Sequence, residues 1–287
     1  MISLRKLLGL VLVGLMLVAV GNACSQPSEA QRQSEAMSAL HQADAPKSSP
    51  LVAQETMADG EDITYGEIGG VPLTGYLARP ADAEGPLPGL IVIQEWWGLN
   101  DNIRAMARRL ADQGYAALAV DLYDDQVAET PDEARTLVQA ALDNPSRLED
   151  NLSQAYGYLE GELSASKIAS IGWCFGGTWS LNTALLFPQS LDAAVIYYGG
   201  GITTERDRLQ TLEMPIQGHF GMLDSNPSPE TAKEFEAVLT ELGKPVEVYL
   251  YEDAGHAFAN PSGTRYNAQA AELAWERTTT FLKEHLQ

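Results

Sequence analysis

Residues 168–187 run from a short apolar segment, Ile168 to Ile171, through Gly172-Trp173-Cys174-Phe175-Gly176-Gly177, into a stretch of helical composition, Thr178 to Phe187. Strand, glycine-flanked turn and helix in direct succession demand a fold in which a buried strand ends where a helix begins. The flanking glycines let the backbone take a strained turn, so the side chain between them stands at the carboxyl edge of a sheet. That side chain is Cys174, a thiol where the commoner form of this turn carries a serine hydroxyl. Two readings are open for it: a nucleophile activated by a neighbouring base, or an inert buried thiol beside small residues.

The remaining pattern extends this unit into an α/β fold. Ile63 to Ile68 and Leu73 to Ala78 flank Gly69-Gly70 and predict a β-hairpin. Leu90 to Ile93, Ala116 to Val120, Ala193 to Tyr197, Ile216 to Phe220 and Val246 to Tyr251 predict short strands. Helical stretches alternate with them at Asn102 to Gln113, Pro131 to Leu142, Arg147 to Glu160, Pro229 to Leu242 and Arg265 to Leu286. The alternation predicts a mostly parallel central sheet with helices on both faces, in which sites lie outside the carboxyl ends of the strands.

The N-terminus has a different character. Arg5 and Lys6 precede an apolar stretch, Leu7 to Val20, and then Gly21-Asn22-Ala23-Cys24. Charged, apolar and small residues in that order predict a signal peptide over residues 1–23, with an apolar run too short for the roughly 20 residues of a membrane span. Cys24 directly after the small residues resembles a lipobox, so the expectation is an exported, cell-envelope or periplasmic protein held through a lipid on Cys24; plain secretion is the alternative. Residues 24–60 are rich in Ser, Gln, Ala and acids and predict a flexible tether, with a weak amphipathic helix around Arg32 to Leu40. Residues 61–287 are long enough for one α/β domain. A formal net charge of −21 disfavours nucleic acid as a partner. With Cys24 at the processed terminus, Cys174 has no internal disulfide partner. With 4 histidines and no clustered ligand spacing, neither metal nor organic cofactor is expected.

Two further residues fall just past predicted strands: Asp224, after Phe220, and His256, in Gly255-His256-Ala257-Phe258. Taken singly, Asp224 reads equally well as a loop cap near Pro227 and Pro229, and His256 as a structural histidine. Taken together with Cys174, they stand in the chain order nucleophile, acid, histidine, which is the α/β-hydrolase order. The chemistry needs this trio, because a histidine takes the thiol proton and a carboxylate holds the imidazole in the right tautomer.

Gln94-Glu95-Trp96-Trp97-Gly98, Asp121-Leu122-Tyr123, Gly172 to Gly177, Tyr197-Tyr198-Gly199, Gly221 to Asp224 and Gly255 to Phe258 together resemble the dienelactone hydrolase family. The resemblance spans nearly the whole domain. It implies that Cys174, Asp224 and His256 form a triad, and that Glu95 contacts the thiol at rest and is displaced by substrate. The backbone N–H groups of Phe175 and Trp96 become the oxyanion donors. Trp97, Tyr123, Tyr198 and Phe258 are pocket-wall candidates, with core packing as the other reading.

The chain also departs from the family pattern. Asn260 stands four residues after His256, where the family has an arginine that grips a substrate carboxylate. Asp124-Asp125 lie near the position of the other arginine, and Arg135 cannot be aligned with it. Without a bidentate cation, the expectation is an exported monomeric hydrolase of small neutral esters or lactones, with altered specificity. A non-catalytic envelope binding protein on the same fold, or a broad carboxylesterase, are the alternatives.

Overall fold

The computed structural model describes residues 27–42, 49–53 and 56–287; the leader and Cys24 lie outside them. A hairpin begins the sheet: β1 (Ala58–Ile68) and β2 (Val71–Pro80) pair antiparallel around Gly69-Gly70. Both glycines have φ in the left-handed region, +59° and +81°, which the tight connection requires. β3 (Gly89–Ile93), β4 (Ala116–Val120), β5 (Ile168–Trp173), β6 (Ala193–Tyr197) and β7 (Ile216–Gly221) are buried at every position, as strands covered on both faces must be. With β8 (Val246–Tyr251) they form an eight-stranded sheet of order β1-β2-β4-β3-β5-β6-β7-β8. Every pairing from β4 through β8 is parallel, so the carboxyl ends of β3, β5, β6, β7 and β8 emerge along one edge.

The helices that follow these strands are α2 (Asp101–Ala111), α3 (Pro131–Leu142), α4 (Pro145–Gly157), α5 (Phe175–Leu186), the single turn α6 (Arg206–Leu209), α7 (Pro229–Glu241) and α8 (Ala268–Leu286). Local signals set several boundaries. Thr130 and Glu133 form a capping box at the start of α3, with Pro131 in the first turn. Asn100, Ser228 and Asn267 accept backbone N–H groups at the starts of α2, α7 and α8. α5 and α8 sit on opposite sides of the sheet: Ser170 bonds Ser180 of α5, whereas the Tyr197 hydroxyl bonds Thr278 of α8 at 2.7 Å. α2 joins α8 through Arg109, whose guanidinium lies 3.8 Å over the Trp275 ring.

Two segments expected to be tether are ordered elements. Strand β1 begins at Ala58, because pairing continues to Ala58 opposite Pro80. A helix, α1 (Glu29–His41), precedes it, opened by a capping box between Ser28 and Gln31. It buries only Ser34, Met37 and His41, an i, i+3, i+7 stripe. The helix lies against α3, where the Ser34 hydroxyl donates to Gln139 at 2.5 Å. Tertiary docking therefore orders a helix whose own composition is too polar to fold alone. Among the described residues, no helix is long and apolar enough to cross a membrane.

Candidate active site

The turn after β5 has the strain its glycines foretold. Cys174 has φ 57° and ψ −114°, and Phe175 begins α5 immediately after it. A Cβ on Gly172 would fall 2.1 Å from the Gly176 carbonyl oxygen, and one on Gly176 would fall 2.3 Å from that of Ile93. Only bare backbone lets the helix start this close to β3. The Cys174 N–H is anchored to the Tyr197 carbonyl at 3.0 Å, tying the turn to the end of β6.

Burial pushes the Cys174 thiol pKa well above its usual value, and the Glu95 and Asp224 carboxylates push the same way. Opposing them are the Phe175 N–H, which bonds the sulfur, and the positive charge of Arg265. The N–H groups of Trp96 and Phe175 take part in no loop or cap backbone hydrogen bond among the described residues, which suits the oxyanion role expected of them.

Asp224 and His256 meet as the strand-end reading required. His256 Nδ1 lies 2.8 Å from Asp224 Oδ2, both side chains being buried, and Asp224 Oδ1 accepts the Asn226 N–H at 2.9 Å. A carboxylate only accepts, so His256 carries its proton on Nδ1 and keeps a lone pair on Nε2. Nε2 has no hydrogen-bond partner, and a nitrogen of this ring lies within 4.8 Å of Cys174 Sγ. Ala257, next to it, has φ 59°, so the backbone on both sides of the site is held in unfavourable geometry.

Glu95 is buried and couples electrostatically to the Cys174 thiol. Asn260 Nδ2 donates to Glu95 Oε2, and the Tyr198 hydroxyl approaches Oε1 at 3.5 Å. Asn260 Oδ1 meanwhile accepts both the N–H and hydroxyl of Ser262, at 2.9 and 2.6 Å, which fixes the amide's orientation. Asn260 is thus a partner of Glu95 and not an open pocket-wall residue.

The aromatic expectations divide. Tyr198 packs 5.2 Å from the His256 ring, Tyr123 5.7 Å from Phe175, and Trp97 4.8 Å from Trp96, all beside the site. Phe258 is fully buried among Tyr251, Tyr198 and Tyr197, so it is core beneath His256 and not pocket wall. Asp124 and Asp125 are also displaced from their expected influence. They are exposed, with Asp124 paired to Arg147 and Asp125 accepting from Thr74 at 2.7 Å. The carboxylate of Asp121 holds that loop through the N–H groups of Tyr123 and Asp125.

Sequence reading missed two residues of the site, His41 and Arg265. His41, the last residue of α1, is 2 % exposed and stacks on Trp96 with centroids 4.4 Å apart. Its Nε2 lies 3.6 Å from Cys174 Sγ, and its Nδ1 lies 2.8 Å from Arg265 Nη2. The stripe Ser34, Met37, His41 was the available signal; Arg265 had none. His41, Cys174 and His256 offer ligand atoms within 4.8 Å of one another, a donor set that suits a soft cation by type. Arg265 counts against that use, because its guanidinium can only donate. His41 Nδ1 must accept, and the ring proton then occupies Nε2, the atom a metal would need.

A strand order of this kind, with the strained Cys174 turn after β5 and Asp224 and His256 after β7 and β8, is that of an α/β-hydrolase. Within that class the chain belongs to the dienelactone hydrolase family, ester and lactone hydrolases whose profile matches residues 73–286. It is similar to the carboxymethylenebutenolidase of Pseudomonas putida, with 32% identity over 235 residues covering 77% of this chain and 95% of that one. Protein usf of Aquifex pyrophilus is 32% identical over 227 residues, covering 77% and 96% of the two chains. Among solved structures, a dienelactone hydrolase-like promiscuous phosphotriesterase from metagenomic libraries superposes with a TM-score of 0.72 at 25% identity, covering 80% of this chain and all of that one.

Proposed function

We propose that the protein hydrolyses small carboxylic esters or lactones through a thioester on Cys174. The Cys174 thiol gives its proton to His256 Nε2, and the thiolate attacks the substrate carbonyl carbon. The electron pair of the C=O bond moves to oxygen, where the N–H groups of Phe175 and Trp96 receive the charge. Collapse of this adduct expels the alkoxide, which takes the proton from His256. Water then gives a proton to His256 Nε2 and attacks the thioester; collapse releases the carboxylic acid, and the sulfur recovers its proton. Asp224 stabilises the imidazolium formed at each stage.

The observation that carries this reading is the unpartnered, buried His256 Nε2 on a ring oriented by Asp224, one nitrogen of which lies within 4.8 Å of Cys174 Sγ. A preference for neutral substrates is part of the proposal, supported by the commitment of Asn260 to Glu95 and by the acidic chain. Turnover of p-nitrophenyl acetate, a neutral lactone and an anionic dienelactone by the wild type and Cys174→Ala tests both parts. Loss of turnover in Cys174→Ala, with neutral substrates favoured by wild type, is the expected result. Equal activity in both proteins, or none in either, leaves a binding module as the better account. Export and lipid anchoring through Cys24 are proposed from the leader pattern; intact mass of the membrane-fraction protein, with and without Cys24→Ser, tests them.

A further inference from the structure

We propose that His41, delivered by the N-terminal helix, is a further catalytic residue whose Nε2–H donates to the Cys174 sulfur, with Arg265 as the residue that positions it. The inference rests on Cys174 being the nucleophile. The family match begins at residue 73, so His41 lies outside the part of the chain that it describes.

The proton assignment follows from hydrogen-bond chemistry. Arg265 Nη2 meets His41 Nδ1 at 2.8 Å, and Arg265 Nη1 meets the Leu40 carbonyl at 2.6 Å. Guanidinium offers donors only, so Nδ1 accepts and the single proton of a neutral ring sits on Nε2. Nε2 points at Cys174 Sγ from 3.6 Å, within hydrogen-bond range for sulfur. The stack on Trp96 and the edge contact with His256, 5.1 Å between centroids at 82°, hold the ring plane.

The sulfur therefore has two imidazoles of opposite polarity beside it. His256 presents a lone pair and takes the thiol proton; His41 presents an N–H and remains with the thiolate. The division answers a need of this site. Burial, Glu95 and Asp224 all disfavour ionisation of this thiol. On the favourable side stand the Phe175 N–H at the start of α5 and the Arg265 charge. Through His41, that charge polarises an N–H aimed directly at the reacting atom.

The test is the pH dependence of iodoacetamide alkylation at Cys174, followed by peptide mass spectrometry in the full chain, for wild type, His41→Phe, His41→Gln and Arg265→Gln. Phe keeps the ring stack and removes the donor; Gln keeps an N–H of similar reach. Removing the donor is expected to move the midpoint of the rate profile up by about one pH unit, so alkylation at pH 7 slows about tenfold. Gln at position 41 should lie between Phe and wild type. Arg265→Gln should shift the midpoint in the same direction as His41→Phe.

An unchanged midpoint in His41→Phe overturns the inference. So does faster reaction at every pH with the same midpoint, which makes His41 a cover over the thiol. If His41→Phe does not fold, judged by circular dichroism, Arg265→Gln carries the test alone, and an unchanged midpoint there overturns the inference equally. Alkylation does not depend on ester turnover. A shifted midpoint in a protein that cleaves no ester would sink the hydrolase reading while keeping the role of His41. Cys174-dependent turnover with an unmoved midpoint would do the reverse.

Discussion

Asn260 donates its amide N–H to Glu95, placing a neutral hydrogen-bonding group where it steadies a buried carboxylate that couples to Cys174. An amide there contributes no charge of its own, so the pKa of the thiol depends on how many negative groups surround it. Asn260→Asp is nearly isosteric and adds an acid next to Glu95. The extra charge raises the thiol pKa further, and the acid limb of the kcat/KM profile moves to higher pH, with activity at pH 7 falling about 3- to 10-fold. An unmoved limb would mean that Glu95 and Asn260 are electrically remote from the sulfur.

Asp224→Asn tests the tautomer argument. The amide occupies the same volume, but it can present its N–H to His256 Nδ1, which moves the ring proton to Nε2 and removes the base. The expected loss is about 10³- to 10⁴-fold in kcat with little change in melting temperature. A loss under tenfold would point to another acid serving His256.

Gly176→Ala addresses the turn itself. The added methyl meets the Ile93 and Gln94 carbonyl oxygens at 2.3 and 2.5 Å, both backbone atoms that cannot rotate away. A cost of about 3 kcal/mol is expected from this overpacking. That corresponds to about 6–12 °C in thermal midpoint for a domain of this size, with ester hydrolysis lost as the N–H of Phe175 moves. Calorimetry and an activity assay on the same sample decide it.

His219 gives a pH dependence separate from catalysis. It is fully buried, bonded to Tyr251, Gln217 and Thr278, and burial pushes its pKa down to about 3. The unfolded chain would take up this proton near pH 6.5, while the folded chain refuses it until about pH 3. Stability from this group is therefore complete above about pH 6.5 and is lost as pH falls, by at most about 1.4 kcal/mol per pH unit. Urea titrations at several pH values across this window should show a shallower slope for His219→Gln. Identical slopes would mean that His219 is not the group responsible.

The site was legible to different depths. Cys174 and Asp224 could be placed because each follows a strand buried on both faces, which leaves an apolar run. Strand β8 before His256 is only partly buried, and His256 is marked by its position after that strand in Gly255-His256-Ala257-Phe258. Helical composition begins at Thr178 in the sequence, whereas α5 begins at Phe175, because Gly176 and Gly177 look like turn residues. Their smallness instead serves the close approach of the helix to β3. Helix α3 emerged with its observed ends because Thr130, Pro131 and Glu133 mark its start locally. Helix α1 showed only faintly, since what stabilises it is α3, more than 100 residues along the chain from Ser34. The link from Asn260 to Glu95 spans 165 residues and that from Arg265 to His41 spans 224, and no local periodicity encodes pairs so distant.

The docking of α1 also bears on where this protein can be cut. A recombinant domain trimmed to the boundaries of its family profile, residues 73–286, would retain the sheet positions of the thiol, histidine and acid. It would also discard β1 and the imidazole that faces the sulfur, expose the face of Trp96, and remove the Leu40 carbonyl and the His41 ring that accept from Arg265. A cut at residue 73 therefore removes contacts that the structure makes to Cys174, Trp96 and Arg265.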